Sequence, residues 1–128
     1  MSVRLNHTIV LCRDKAVSAG FLAELLALPA PTPFGDFRVV ATANGVSLDF
    51  LEVGGADIQP QHYAFLIEET EFDQIFGRIR ARGLDYWADP FKKRPGEINR
   101  NDGGRGVYFD DPSGHLLEII TRPYGSGG

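Results

Sequence analysis

At 128 residues, 43% hydrophobic and 23% charged, the chain is a single domain-sized unit, able to bury roughly two-thirds of its unfolded surface but too short for two independent cores. A net charge of −4, with Lys92, Lys93 and Arg94 as the one cationic cluster, excludes the basic field that nucleic acid requires. No apolar run of about 18 residues exists, Met1-Ser2-Val3-Arg4 leads straight into a strand pattern, and Cys12 is the single cysteine. These features argue against a membrane span, a signal peptide or an internal disulfide, and predict a protein of the reducing cytoplasm.

Taken in chain order, residues 5–11 alternate and are β-rich. Asp14 is a plausible N-cap for a helix running to about Leu28, with Val17, Phe21, Leu25 and Leu28 on one stripe, and Pro29, Pro31 and Pro33 end it. FRVVATA (37–43) and VSLDFLEV (46–53) then read as strands joined by Asn44-Gly45, a strong signal for a two-residue hairpin. The second half starts again at QHYAFLIE (61–68). Thr70 can cap a helix through Arg82 that turns Phe72, Ile75, Phe76 and Ile79 inward, and Gly83 stops it. The strand-like runs LDYWADPF, GVYFDD and HLLEIITR follow.

The pattern is therefore β-α-(β)-β-β followed by β-α-β-β-β: an α+β chain of two βαβββ modules, about 4–55 and 60–124, within one domain spanning 1–128. Neither module buries its sheet alone, so pairing about a pseudo-twofold into a curved mixed sheet with the helices outside is expected. Aligned by role, His7 matches His62 in the opening strands and Asp49 matches Glu118 in the closing strands. The longer spacing of the second module falls in a polar, glycine-rich stretch from Pro95 to Gly106, which reads as a loop at the site's edge.

Strand parity tests whether these residues share a face. His7 goes with Ile9 and Leu11, His62 with Ala64 and Leu66, Glu118 with Leu116 and Ile120, and Asp49 with Leu51, leaving the larger hydrophobes for the helix side. Two imidazoles and a carboxylate are the ligand set of an open divalent-metal site, and burying such groups without a partner costs several kcal/mol. A metal at His7, His62 and Glu118 on the concave face is one explanation for all three. Glu52 has the opposite parity and reads as a solvated strand end.

The paired modules, LNHTIVL, QHYAF and above all GVYFDDPSGHLLEII resemble the vicinal oxygen chelate superfamily, which includes glyoxalase I, extradiol dioxygenases, fosfomycin-modifying enzymes and bleomycin-resistance proteins. The most specific piece is the Asp111-Pro112-Ser113-Gly114-His115 turn with Glu118 shortly after it. The resemblance implies one divalent ion per site, Mn, Fe, Ni or Zn, held by His7, His62 and Glu118 and polarising two neighbouring oxygens of a small-molecule substrate. It also implies a homodimer in which a site can be shared between chains.

Asp49 resembles the fourth metal ligand of glyoxalase I but is one bond shorter; it is a candidate base acting through water, or a hydrogen-bond partner of a neighbouring strand. Tyr108 matches a tyrosine that touches substrate in fosfomycin thiol transferases, whereas Ile9 stands where those enzymes carry a hydroxyl. Asn99, Asn101 and Arg105 are candidates to cover the site from the glycine-rich loop, Trp87 and Phe91 to line an entrance or seal the sheet edge, and His115 to fix the turn. By resemblance the expected activity is that of a glyoxalase-like lyase or isomerase. Extradiol dioxygenase, fosfomycin-type thiol transferase and non-catalytic drug or natural-product binding of the bleomycin-resistance kind are the alternatives.

Overall fold

A computed structural model describes residues 2–55 and 57–127. The chain forms two compact units, one ending at Ile58 and the other beginning at Gln59. Each unit is a four-stranded mixed sheet with one helix, the α+β βαβββ pattern twice over.

The first unit contains β1 (His7–Cys12), α1 (Lys15–Leu26), β2 (Thr32–Phe34), β3 (Phe37–Ala41) and β4 (Ser47–Glu52). The strand order is β1-β4-β3-β2. β1 runs parallel to β4 with His7 opposite Ser47 and Ile9 opposite Asp49. Val10, Val40, Leu48 and Phe50 are buried, on the side where α1 packs over β3 and β4. Asp14 caps α1 by accepting from the amides of Ala16 and Val17 at 3.0 and 3.1 Å. Glu52 does more than end a strand: its Oε1 accepts from the amide of Lys15 at 3.1 Å and so helps to cap the same helix.

Two expectations for this unit need correction. α1 ends two residues short of Leu28, with Ala27 in the left-handed region at φ 54°. Its buried stripe is Ser18, Ala19, Leu22, Ala23, Leu25 and Leu26, while Val17 is 54% exposed. The helix is apolar on nearly every side, so periodicity had no polar face against which to set the buried one. The Asn44-Gly45 turn is wider than a two-residue hairpin: pairing ends at Ala41 opposite Ser47, and the Thr42 amide donates to the Val46 carbonyl at 2.8 Å.

The second unit contains β5 (His62–Leu66), α2 (Glu69–Ala81), β6 (Tyr86–Trp87), β7 (Gly106–Asp110) and β8 (Leu116–Ile120), in the order β5-β8-β7-β6. β5 is parallel to β8, with His62 opposite Leu116 and Ala64 opposite Glu118. The first unit's register recurs, so the matching of His7 with His62 and of Asp49 with Glu118 is a structural equivalence. Phe72, Ile75 and Ile79 of α2 are buried, and Phe76 meets Tyr86 edge-on at 5.0 Å. The cap of α2 is Glu68 rather than Thr70. The Glu68 amide donates to Glu71 Oε1 at 2.9 Å, the reciprocal box that an acid three residues into the helix makes possible. The stretch from Pro95 to Gly106 folds back on the sheet, with Pro95 bridging to Trp87 and Asn99 to Gly106. Among the described residues, no helix is long and apolar enough to cross a membrane.

Candidate metal centre

In parallel β5 and β8, Glu118 lies two residues beyond the register partner of His62, so the two side chains rise from one face as diagonal neighbours. His62 Nε2 is 3.0 Å from Glu118 Oε1. The other ring nitrogen, Nδ1, is 3.0 Å from the carbonyl oxygen of Leu116, the residue opposite His62 in the ladder. A carbonyl can only accept, so Nδ1 carries a proton. In the neutral ring Nε2 then presents a lone pair to the Glu118 carboxyl, a contact that needs either a proton, carried by the ring or by the carboxyl, or a metal ion.

Several features fit a metal. Glu118 is completely buried, a costly place for a carboxylate without a compensating charge. A ring whose outer N–H is fixed by a backbone carbonyl is the usual support of a metal-binding histidine. Donors in adjacent positions of an octahedral ion, at bonds of about 2.1 Å, lie about 3.0 Å apart, the spacing found between His62 and Glu118.

Phenols complete the surroundings. The ring of Tyr108 stacks on His62 with centroids 5.8 Å apart and planes at 25°. The Tyr108 hydroxyl is 2.7 Å from that of Tyr124, and the Tyr124 hydroxyl contacts Glu118 Oε2. A carboxylate only accepts, so Tyr124 donates to Glu118, and Tyr108, opposite Glu118 in the ladder between β7 and β8, has hydrogen-bond partners in both Tyr124 and Glu118. Burial pushes the Tyr108 phenol up to about 12, with the nearby Glu118 carboxylate adding to it. Burial, and then the hydrogen bond to Glu118, raise Tyr124 as well. Both phenols are therefore protonated at neutral pH.

The Asp111–His115 turn positions the histidine. Asp111 Oδ1 accepts from the amides of Ser113 and His115 at 2.9 and 2.8 Å. Buried His115 accepts at Nδ1 from the amide of Gln61 at 3.0 Å. The His115 ring thus holds the residue immediately before His62, while Asp111 holds the turn itself.

The first unit repeats the scaffold with different contacts. His7 is exposed, and its Nδ1 lies 2.8 Å from Asn6 Oδ1. Asp49 is half-buried and accepts from the Ser47 hydroxyl at 2.8 Å. Ile9 is 49% exposed beside it in the ladder. Within neither unit do the described residues gather three His, Cys, Asp or Glu side chains into one metal-binding cluster.

The remaining candidates make local contacts. Arg105 Nε donates to Glu69 Oε1 and its Nη1 to Asp73 Oδ1, both at 2.8 Å, with the guanidinium 4.4 Å from the centre of the Phe72 ring. Buried Asn99 donates to the Ala88 carbonyl at 2.8 Å. It packs so tightly on β7 that a Cβ at Gly106 would stand 2.9 Å from its Oδ1. Trp87 lies under Lys92, whose ammonium is 4.5 Å from the ring centre and 2.7 Å from Asp110. Trp87 also lines a shallow groove with Leu84, Asp85, Tyr86, Pro95 and Gly96. Tyr124 was not among the residues predicted from sequence. It stands six residues after Glu118 in a tail of proline and glycine, and only that turn composition hinted that the chain folds back.

No protein-family model matches the chain. A curated relative, the metallothiol transferase FosB of Shouchella clausii, is 42% identical over 113 residues, covering 84% of this chain and 71% of the relative. The solved structure of the oxidase ChaP-H2 is 64% identical over the full length of both chains, with a TM-score of 0.96. At 22% identity and a TM-score of 0.70, covering 96% of this chain and 92% of the other, the fosfomycin resistance protein FosX from Listeria monocytogenes, complexed with Mn(II) and sulfate, shares the fold. On the FosB match and the duplicated βαβββ fold, the chain belongs to the vicinal oxygen chelate superfamily of enzymes, the glyoxalase and fosfomycin-resistance group.

Proposed function

We propose that the protein is a divalent-metal-dependent enzyme that oxidises a small organic substrate bearing two neighbouring oxygens, with dioxygen as the electron acceptor. The observation that carries the metal assignment is the His62 ring, fixed at Nδ1 by the Leu116 carbonyl with Nε2 facing buried Glu118 at 3.0 Å. His62 and Glu118 hold the ion and His7 is the third donor, with the identity left among Mn, Fe, Ni and Zn; a FosX structure carries Mn(II). When bound, the metal supplies Lewis acidity toward the paired oxygens.

The chain's own residues do the rest. The Leu116 carbonyl sets the tautomer and angle of His62. Tyr108, stacked on that ring and protonated, offers a phenol to a substrate oxygen. Asp49 is the proposed base, acting through water, and exposed Ile9, its ladder partner, is the proposed apolar flank. The 64% identity to an oxidase supports oxidation. The glyoxalase-like lyase or isomerase expectation has no support here beyond the shared fold.

Thiol transfer is the second reading, favoured by the FosB relative. Against it, two cations that could meet an anionic substrate are matched with carboxylates, Arg105 with Glu69 and Asp73 and Lys92 with Asp110. A homodimer is part of the proposal. The β1 face exposes Ile9 and Leu11, and β5 exposes Leu66, apolar surface that a second copy would cover. The lone buried Cys12 suits a cytoplasmic enzyme.

The test offers Fe(II)- or Mn(II)-loaded protein a panel of catechols and hydroxyquinones in an oxygen electrode, and separately fosfomycin with low-molecular-weight thiols. Oxygen uptake that His62→Ala abolishes is expected. Thiol addition to fosfomycin without oxygen uptake would replace the first reading with the second.

A further inference from the structure

We propose that Tyr124, carried on the C-terminal tail, is a positioning residue that holds Glu118 Oε2 so that Oε1 alone is presented beside His62. The inference rests on the metal-centre reading above.

The two carboxylate oxygens of Glu118 have separate partners. Oε1 faces His62 Nε2 at 3.0 Å, whereas Oε2 takes the Tyr124 hydroxyl. A buried carboxylate beside a cation can turn either oxygen, or both, toward it. The phenol removes that freedom, because a carboxylate rotating to chelate would give up a charge-assisted hydrogen bond in a buried setting. The open positions then stay available for two substrate oxygens.

The tail is built to deliver this contact. After β8, the Thr121 amide donates to the Arg105 carbonyl at 3.0 Å, and the Thr121 hydroxyl accepts from the Arg105 amide at 2.8 Å. A Cβ at Gly104 would come within 2.5 Å of that hydroxyl, so only glycine lets this loop approach. A turn follows in which the Ser126 amide donates to the Pro123 carbonyl at 3.2 Å, Gly125 adopts φ +79°, and Arg122 Nη2 reaches the Ser126 carbonyl at 3.2 Å. Beyond it, the Gly127 amide donates to Asp102 Oδ1 at 3.4 Å. Tyr124 is 53% exposed yet its hydroxyl ends on a fully buried carboxylate. Simple packing would not call for that combination. Tyr108, the ladder partner of Glu118, lies beside the same carboxylate and shares a hydrogen bond with Tyr124.

The test is a Mn(II) titration followed by electron paramagnetic resonance on wild type and Tyr124→Phe, with circular dichroism to confirm that each is folded and a crystal structure of each Mn(II) complex. Wild type is expected to bind about one ion per chain with Glu118 monodentate. Tyr124→Phe should weaken binding by about 10–100-fold, the usual cost of losing an outer hydrogen bond to a ligand, and let Glu118 chelate. If wild type binds Mn(II) and Tyr124→Phe matches it in both affinity and denticity, the role of Tyr124 is overturned and the metal centre stands. If wild type takes up no metal, the metal centre itself is overturned and the role of Tyr124 with it.

Discussion

The two halves of the molecule carry one ladder and use it differently. In each, an opening-strand histidine stands diagonally to an acid two residues past its register partner: His7 to Asp49, and His62 to Glu118. In the second half the acid reaches the ring at 3.0 Å and is fully buried; in the first it stays half-buried on Ser47 while Asn6 holds the ring. Two residues account for the difference. Glutamate reaches one methylene further than aspartate, and the residue opposite the histidine is Leu116 in one half and Ser47 in the other. A hydroxyl two residues before the acid, on the same face of the strand, captures it; leucine has nothing to offer. Repeating a backbone therefore duplicates the positions of a site without duplicating the site.

The largest effect should come from breaking the second half. His62→Ala and Glu118→Ala should each lower Mn(II) affinity by more than the roughly 100-fold that marks the upper range for outer-shell changes, as measured by isothermal titration. Asp49→Ala should keep the metal and lose about 100-fold in turnover, the scale of a missing general base. Equal metal loss in all three would make the halves equivalent and break the comparison.

A smaller effect should follow from making the first half resemble the second. Combining Ser47→Leu with Asp49→Glu frees the acid from its hydroxyl and lengthens it toward His7. The lengthened acid should then reach the His7 ring as Glu118 reaches that of His62. A crystal structure of the double variant checks this, and an acid still turned away from the ring would mean that reach and capture are not what separates the halves.

Smallest is a change in how each half ties its helix down. The first half uses Glu52 on the Lys15 amide, the second Arg105 on Glu69 and Asp73. Glu69 is held below its ordinary value of 4.5 by hydrogen bonds from Thr121 and then Arg105, and Asp73 below 3.8 by Arg105. Acids depressed by folding stabilise it at pH above their ordinary values and lose that contribution as pH falls through the depressed ones. Arg105→Gln should thus melt slightly below wild type at pH 7, and the gap should close at pH below 3.8. A pH-independent gap would assign it to the lost packing on Phe72 instead.

Much of this was legible from residue pattern. Strand parity put His62 and Glu118 on one face because strand periodicity is two and tolerates no drift, and the DPSGH turn stood out by its resemblance to the vicinal oxygen chelate superfamily. What remained hidden depends on contacts far apart in sequence. The buried stripe of α1 could not be chosen among nearly uniform apolar residues, and Arg105 gave no sign that α2 would occupy its guanidinium. Tyr124 lies in a tail whose course is set by Gly104, Thr121 and Asp102, positions that no local pattern connects.

The central claim is that His62 and Glu118 share a metal ion rather than a proton. Anomalous scattering at the manganese edge, from crystals grown with Mn(II) near neutral pH, tests it most directly. A peak is expected about 2.0–2.2 Å from both His62 Nε2 and Glu118 Oε1. A crystal with no peak there, and the His62–Glu118 contact unchanged at 3.0 Å, would contradict it and leave a protonated histidine paired with a buried carboxylate.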